Sequence, residues 1–139
     1  MSSSEITSLD AAALSSAIHA REVACADVMA AYLDRIDDVN PRHNAIVSRR
    51  DREPLMAEAL QCDAELDAGL SRGWMHGFPL AVKDLAETKG VTTTSGSLML
   101  RDHVPHRDAI VVERMRGAGA IIIGKTNVPE FGLGSHTYN

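Results

Sequence analysis

Two uninterrupted apolar runs, Phe78-Pro79-Leu80-Ala81-Val82 and Ala120-Ile121-Ile122-Ile123, constrain this chain more than any other feature. Neither alternates apolar with polar residues, so each reads as a strand buried on both faces rather than one with a wet side. Between them Asp108 stands where it would cap a helix whose Val112 and Met115 face inward, and Gly117 and Gly119 end that helix before the second run. Strand, helix and strand predict a βαβ crossover and an α/β fold. The first strand delivers Lys83 and Asp84 at its C-terminal end, where open α/β sheets place ligands. A long stretch rich in Gly, Thr and Ser follows, including Thr92-Thr93-Thr94-Ser95-Gly96-Ser97, and loops of that length in a compact domain are functional or mobile.

Residues 1–72 have a different period. Thr7-Ser8-Leu9-Asp10 resembles a capping box with Asp in place of Glu, ahead of Leu9, Ala13 and Ala17 at helical spacing, and the helix should end near His19 to Arg21. From Ala24 to Val39 a broad stripe of Val28, Met29, Tyr32, Leu33, Ile36 and Val39 predicts a second helix, which Asn40-Pro41 should stop. A third should start near Pro54, carry Leu55, Ala59, Cys62 and Leu66 on one face and end at Gly69. No internal repeat or linker divides the 139 residues, and a 45% hydrophobic content can build a core.

Several function classes fall away on composition. Fourteen Lys and Arg against nineteen Asp and Glu leave a net charge of −5 with no basic block, so nucleic-acid binding through a basic face is not expected. The start, Met1-Ser2-Ser3-Ser4-Glu5, lacks a signal-peptide pattern, and no run approaches the roughly 18 apolar residues of a membrane span, so a cytoplasmic location is expected. Cys25 and Cys62 have no metal-ligand spacing and read as reduced thiols.

Three chemistries compete. Gly119-Ala120-Ile121-Ile122-Ile123-Gly124-Lys125-Thr126 matches the written P-loop pattern, yet three consecutive Ile favour an extended strand, and Pro129 opposes a helix starting at Lys125. The segment reads instead as a strand followed by a tight turn at Gly124. His103 and His106 are three apart, but Pro105 between them disfavours the helix that would align them on a metal, so they read as solvated loop histidines and no metal or cofactor is called for. A lysine beside an aspartate at a strand end is ordinarily a surface ion pair. Lys83 differs because it follows five apolar residues and faces a Gly/Ser/Thr-rich loop, a poorly hydrated setting that favours a neutral amine able to act as a base.

The segment Gly77–Asp84, then Gly90-Val91, Thr93–Ser97, Asp108-Ala109, Ala118-Gly119-Ala120, Gly124-Lys125-Thr126-Asn127 and Glu130-Phe131 closely resembles the amidase signature family, most specifically from Gly77 to Asn139. The resemblance implies an α/β/α fold with a mixed central sheet, incomplete in this chain, and a Ser-cis-Ser-Lys hydrolase with Lys83 as the catalytic lysine. It also implies that Gly132, Leu133 and Gly134 lie along the substrate cavity, and that Gly124-Lys125-Thr126-Asn127 is a structural turn. The family's Gly-Gly-Ser-Ser-Gly-Gly stretch and its nucleophile should follow Asn139, and the family pattern gives Ser95, Ser97 and Ser135 other positions. The expectation is therefore the N-terminal part of an amidase for a small-molecule amide substrate, with residues 1–72 mainly helical and 77–139 carrying the base. A noncatalytic remnant acting only by association and the glutamine-hydrolysing subunit of a tRNA-dependent amidotransferase stand as alternatives. The apolar strands, lacking neighbours, predict self-association of the isolated chain.

Overall fold

The chain enters its first helix through a reciprocal cap. In the computed structural model, which describes residues 1–137, Ser2 Oγ accepts from Glu5 N while Glu5 Oε2 accepts from Ser2 N at 2.7 Å, and α1 runs Ser3–Ile6. The capping box thus lies ahead of the one expected at Thr7–Asp10. Asp10 acts alone as the N-cap of α2 (Ala11–His19), accepting from Ala13 N at 2.8 Å, and the helix ends where the sequence places its end.

Helix α3 runs Cys25–His43, past the expected stop at Asn40-Pro41. Pro41 falls in the last turn, where its missing N–H removes one hydrogen bond from an end already short of partners. The exit is organised by Asn40: Asn44, left-handed at φ 47°, returns its N–H to Asn40 O at 2.7 Å. The Asn40 amide also accepts from Ile46 N at 2.8 Å and donates to Ile46 O at 3.0 Å, leading the chain into β1 (Ile46–Val47). Helix α4 (Arg52–Asp67) buries Leu55, Ala59 and Cys62 as expected and holds Pro54 in its first turn. The start of α3 has Ala24 at the cap and no capping side chain of its own. Asp63 of α4 supplies the cap instead, accepting from Cys25 N at 2.7 Å and Ala26 N at 3.0 Å.

The sheet has strand order β1-β3-β2, with β2 (Pro79–Lys83) parallel and β1 antiparallel to the central β3 (Ile121–Thr126), so it is mixed. The parallel pair is joined through α5 (Ile110–Gly117), which completes the predicted crossover. Residues of β3 alternate between two cores. Ile121 and Ile123 pack with the helical half, including Ile18, Met29, Leu33 and Leu55, while Ile122 packs with Val82 and Val112 beneath α5. Helices thus cover both faces of β3. Trimming Leu55 or Ile121 to Ala in such a core costs about 2–5 kcal/mol.

Three local expectations need correction. First, β2 is an edge strand among the described residues: Pro79, Leu80 and Ala81 are half-buried, because only β3 flanks it. Second, Asp108 does not cap α5, whose N-cap is Ala109; its carboxylate accepts from Lys89 N at 2.7 Å and Arg116 Nε at 3.0 Å. Third, no turn occurs at Gly124, which lies inside β3. The register slips between Leu80↔Ile122 and Ala81↔Gly124, leaving Ile123 as the extra residue of a bulge. Ile123 O is taken by Arg50 N at 2.9 Å, and a Cβ on Gly124 would stand 2.9 Å from Arg49 Cα. Glycine is needed there for the close passage of the Ser48–Arg50 backbone.

Candidate functional site

The site forms at the C-terminal ends of β2 and β3. Lys83 is the last residue of β2 and pairs in register with Thr126. Its side chain is exposed, in contrast to the poorly hydrated setting expected, because it ends an edge strand that only β3 flanks among the described residues. Nor does it pair with Asp84. That carboxylate is 1% exposed and committed to the loop: it accepts from Thr94 N at 3.1 Å and from Thr94 Oγ1 at 2.5 Å, while Asp84 N donates to Thr126 O. The lysine amine is thereby left without a carboxylate partner among the described residues.

The Gly/Thr/Ser-rich stretch is ordered by its own backbone. Gly90 N donates to Pro105 O, Thr93 N to His103 O and Ala109 N to Glu87 O, so the outgoing and returning arms brace each other. Thr94 Oγ1 accepts from Gly96 N at 3.1 Å, and Ser95 takes a left-handed φ of 52°. Two bonds then join this turn to the segment after β3: Phe131 N donates to Ser95 O at 2.7 Å, and Ser97 Oγ donates to Glu130 Oε1 at 2.7 Å. Gly132, at φ +74°, passes so close to Leu85 that a Cβ would meet its Cδ1 at 2.8 Å. The structure therefore brings together the Lys83 strand end, the Ser95–Ser97 turn and the Glu130–Gly132 turn. Leu133 and Gly134 follow on the exposed side.

The residue that sequence reasoning passed over is Lys125, set aside there as part of a turn. It is fully buried on β3 and donates to Ala86 O, Thr88 Oγ1 (2.7 Å) and Thr93 Oγ1 (3.2 Å). Burial pushes its ammonium below the ordinary lysine value, and Asp84, Glu87 and Asp108 oppose that shift. Its tip is occupied by the chain's own oxygens, and its strand lacks the curled backbone a phosphate cradle needs. The clue available in sequence was the set of threonines in an aperiodic loop, able to accept from a buried cation.

His103 lies beside Glu87 at 3.2 Å in the loop, and His106 is exposed, so the two do not converge. Cys62, Glu65 and His76 do cluster, with potential ligand atoms within 4.8 Å of one another. His76 Nδ1 accepts from Arg72 N at 3.0 Å, so the ring proton is on Nε2, which donates to Cys62 O at 2.9 Å. Both ring nitrogens are committed to holding the backbone. Glu65 is bound by Arg72, and burial raises the Cys62 thiol, so the group ties α4 to the segment that leads into β2.

Comparison with known proteins agrees with this architecture. Residues 27–139 match the Amidase family, and the chain belongs to that family. It is 42% identical over 136 residues to a glutamyl-tRNA(Gln) amidotransferase subunit from Acidothermus cellulolyticus, covering 98% of this chain and 27% of that protein. The same subunit from Azoarcus sp. is 46% identical over 119 residues, covering 86% and 24%. The crystal structure of peptide amidase from Stenotrophomonas maltophilia superposes with a TM-score of 0.81 at 35% identity, over 89% of this chain and 26% of that one. The chain thus spans about a quarter of the length of these relatives.

Proposed function

We propose that this chain forms the base-bearing N-terminal part of an amidase that hydrolyses the C–N bond of a small carboxamide to carboxylate and ammonia or amine. The observation that carries the reading is Lys83 at the end of a parallel strand, without a carboxylate partner among the described residues and followed directly by Asp84, whose carboxylate holds Thr94. As a base, Lys83 accepts the proton of a nucleophilic serine through a bridging serine, both supplied by the remainder of the enzyme. The serine oxygen adds to the amide carbonyl, backbone N–H groups hold the oxyanion, and the proton passes to the departing nitrogen as the C–N bond breaks; water, giving its proton back through the same base to the serine oxygen, then cleaves the acyl-serine ester to carboxylate. Gly132, Leu133 and Gly134 would line the substrate cavity; the close passage of Gly132 over Leu85, two residues past Lys83, supports that role for the turn.

In an enzyme that includes the serine-bearing remainder, Lys83→Met is expected to lower carboxamide hydrolysis at least about 100-fold. Turnover within about threefold of wild type would remove Lys83 from the base role. A second reading draws on the relatives that are glutamyl-tRNA(Gln) amidotransferase subunits. Under it, the amide is that of glutamine and the enzyme works within a complex. Ammonia release from glutamine, compared with release from simple carboxamides, separates the two.

A further inference from the structure

Lys125 is a lysine with no carboxylate bonded to it, enclosed by three oxygen atoms on a loop that begins at the proposed base. The hydrogen-bond geometry matches a charged amine. Thr88 Oγ1 donates its single proton to Ala86 O at 3.0 Å, and Thr93 Oγ1 donates its own to Val91 O at 3.0 Å. Each hydroxyl therefore faces Lys125 Nζ with a lone pair, and the third partner is a carbonyl. With both hydroxyl protons so directed, three acceptors face Nζ, the number that the three N–H bonds of an ammonium answer. No buried side-chain polar atom among the described residues lacks a partner, which leaves the tripod complete.

The bulge in β3 aims this charge. Ile122 and Val82 share the core beneath α5, and Val82 pairs in register with Lys125. Ile122 and Lys125 are an odd number of residues apart, so only the extra residue at Ile123 puts them on the same face. Without it, Lys125 would point into the apolar core of the helical half. Lys83, next after Val82, faces the other way. The oxygens that Lys125 holds span the loop from Ala86, just past Lys83, to Thr93, next to the Thr94 that Asp84 grips.

We propose that Lys125 is a positioning residue: its ammonium, gripped by Ala86 O, Thr88 Oγ1 and Thr93 Oγ1, acts as a built-in monovalent cation that fixes the loop leaving Lys83 and so sets the Lys83 amine against the Ser95–Ser97 turn. This rests on the reading of Lys83 as the base. An uncharged side chain of similar length would fill the volume but leave three lone pairs unanswered, and the loop would have to reorganise.

Two measurements on the enzyme that includes the serine-bearing remainder test it. In wild type, proton-coupled nitrogen-15 NMR of Lys125 Nζ should give a slowly exchanging quartet, the signature of three attached protons. A triplet, or loss of the signal to rapid solvent exchange, would overturn the proposal without any variant having to fold. In Lys125→Ala, the Lys83, Thr88, Thr93 and Thr94 resonances should move, and propylammonium should return them saturably toward wild type while tetramethylammonium, which has no N–H, does not. Equal responses to the two salts, or unmoved Lys83 resonances, would sink it. In the enzyme with its serine-bearing remainder, Lys125→Ala should lower kcat about tenfold or more with KM within about twofold, and propylammonium should restore kcat. Should Lys83→Met leave hydrolysis intact, the base assignment fails while the quartet and the selective response to propylammonium still report on the loop.

Discussion

Ser97 Oγ donates to Glu130 Oε1 at 2.7 Å, closing a contact between residues 33 apart. Next to it, Phe131 N donates to Ser95 O at 2.7 Å, and the two residues of that backbone bond are both left-handed, at φ 51° and 52°. Non-glycine residues in that region cost on the order of 1 kcal/mol each, comparable to what one hydrogen bond returns. The clasp is therefore close to balance, and small changes should open it.

Ser97→Ala is expected to loosen this clasp. It removes the bond to Glu130 and the one from Met99 N at 3.4 Å, with a stability loss of about 1 kcal/mol because Glu130 is exposed. Hydrogen exchange should accelerate at the Phe131 amide and leave the β3 amides unchanged. Uniform acceleration across β3 would show that the turn is part of the global core instead.

Alkaline pH should unfold the chain through its thiols. Burial is the first cause raising both Cys25 and Cys62 above the ordinary 9.0, so the folded state keeps protons that the unfolded state releases. With more protons bound when folded, stability falls as pH rises through about 9, by up to about tenfold in the unfolding constant per pH unit for each thiol. Urea midpoints of wild type and Cys62→Ala between pH 7 and 10 check this; parallel curves would contradict it.

The isolated chain should self-associate. Leu98, Met99, Leu133 and Ile110 are 86%, 85%, 81% and 70% exposed, and β2 offers an unpaired backbone edge among the described residues. Light scattering should show oligomers and an apolar-surface dye should bind, with both signals reduced by replacing Leu98 and Met99 with Ser. A monodisperse, dye-silent monomer is the opposing result.

Titration with magnesium ATP or GTP should give no saturable heat in the micromolar range. The segment that matches the P-loop pattern is a strand, and the Lys125 amine is already taken by three oxygens within the chain. A magnesium-dependent signal lost in Lys125→Ala would revive nucleotide binding.

The parts of this fold that depend on local pattern were legible in the sequence. The two apolar runs became the parallel strands, the Val112 face became the underside of the crossover helix, and Leu55, Ala59 and Cys62 met the core together. What escaped depends on contacts distant in the chain. Gly124 resembles a turn residue until the Arg49 backbone is seen crossing it, and Asp108 resembles a cap until Lys89 N claims its carboxylate. Lys125 was hidden for the same reason: its acceptors sit in a stretch with no period, where nothing in the spacing says that Thr88 and Thr93 converge. The exposure of Lys83 depends on what flanks an edge strand, which its own neighbours in sequence do not encode.

Asp63 gives the helical half a property that neither of its long helices has alone. The first two amides of α3 are answered by a carboxylate from the far end of α4, so α3 has no complete beginning until α4 has docked. The two helices should therefore appear and fray as one cooperative unit. A disturbance at Asp63 would be felt first not in its own helix but at Cys25, and from there at Gly77, where a Cβ would collide with the Cys25 sulfur and where the chain turns toward the strand that ends in Lys83.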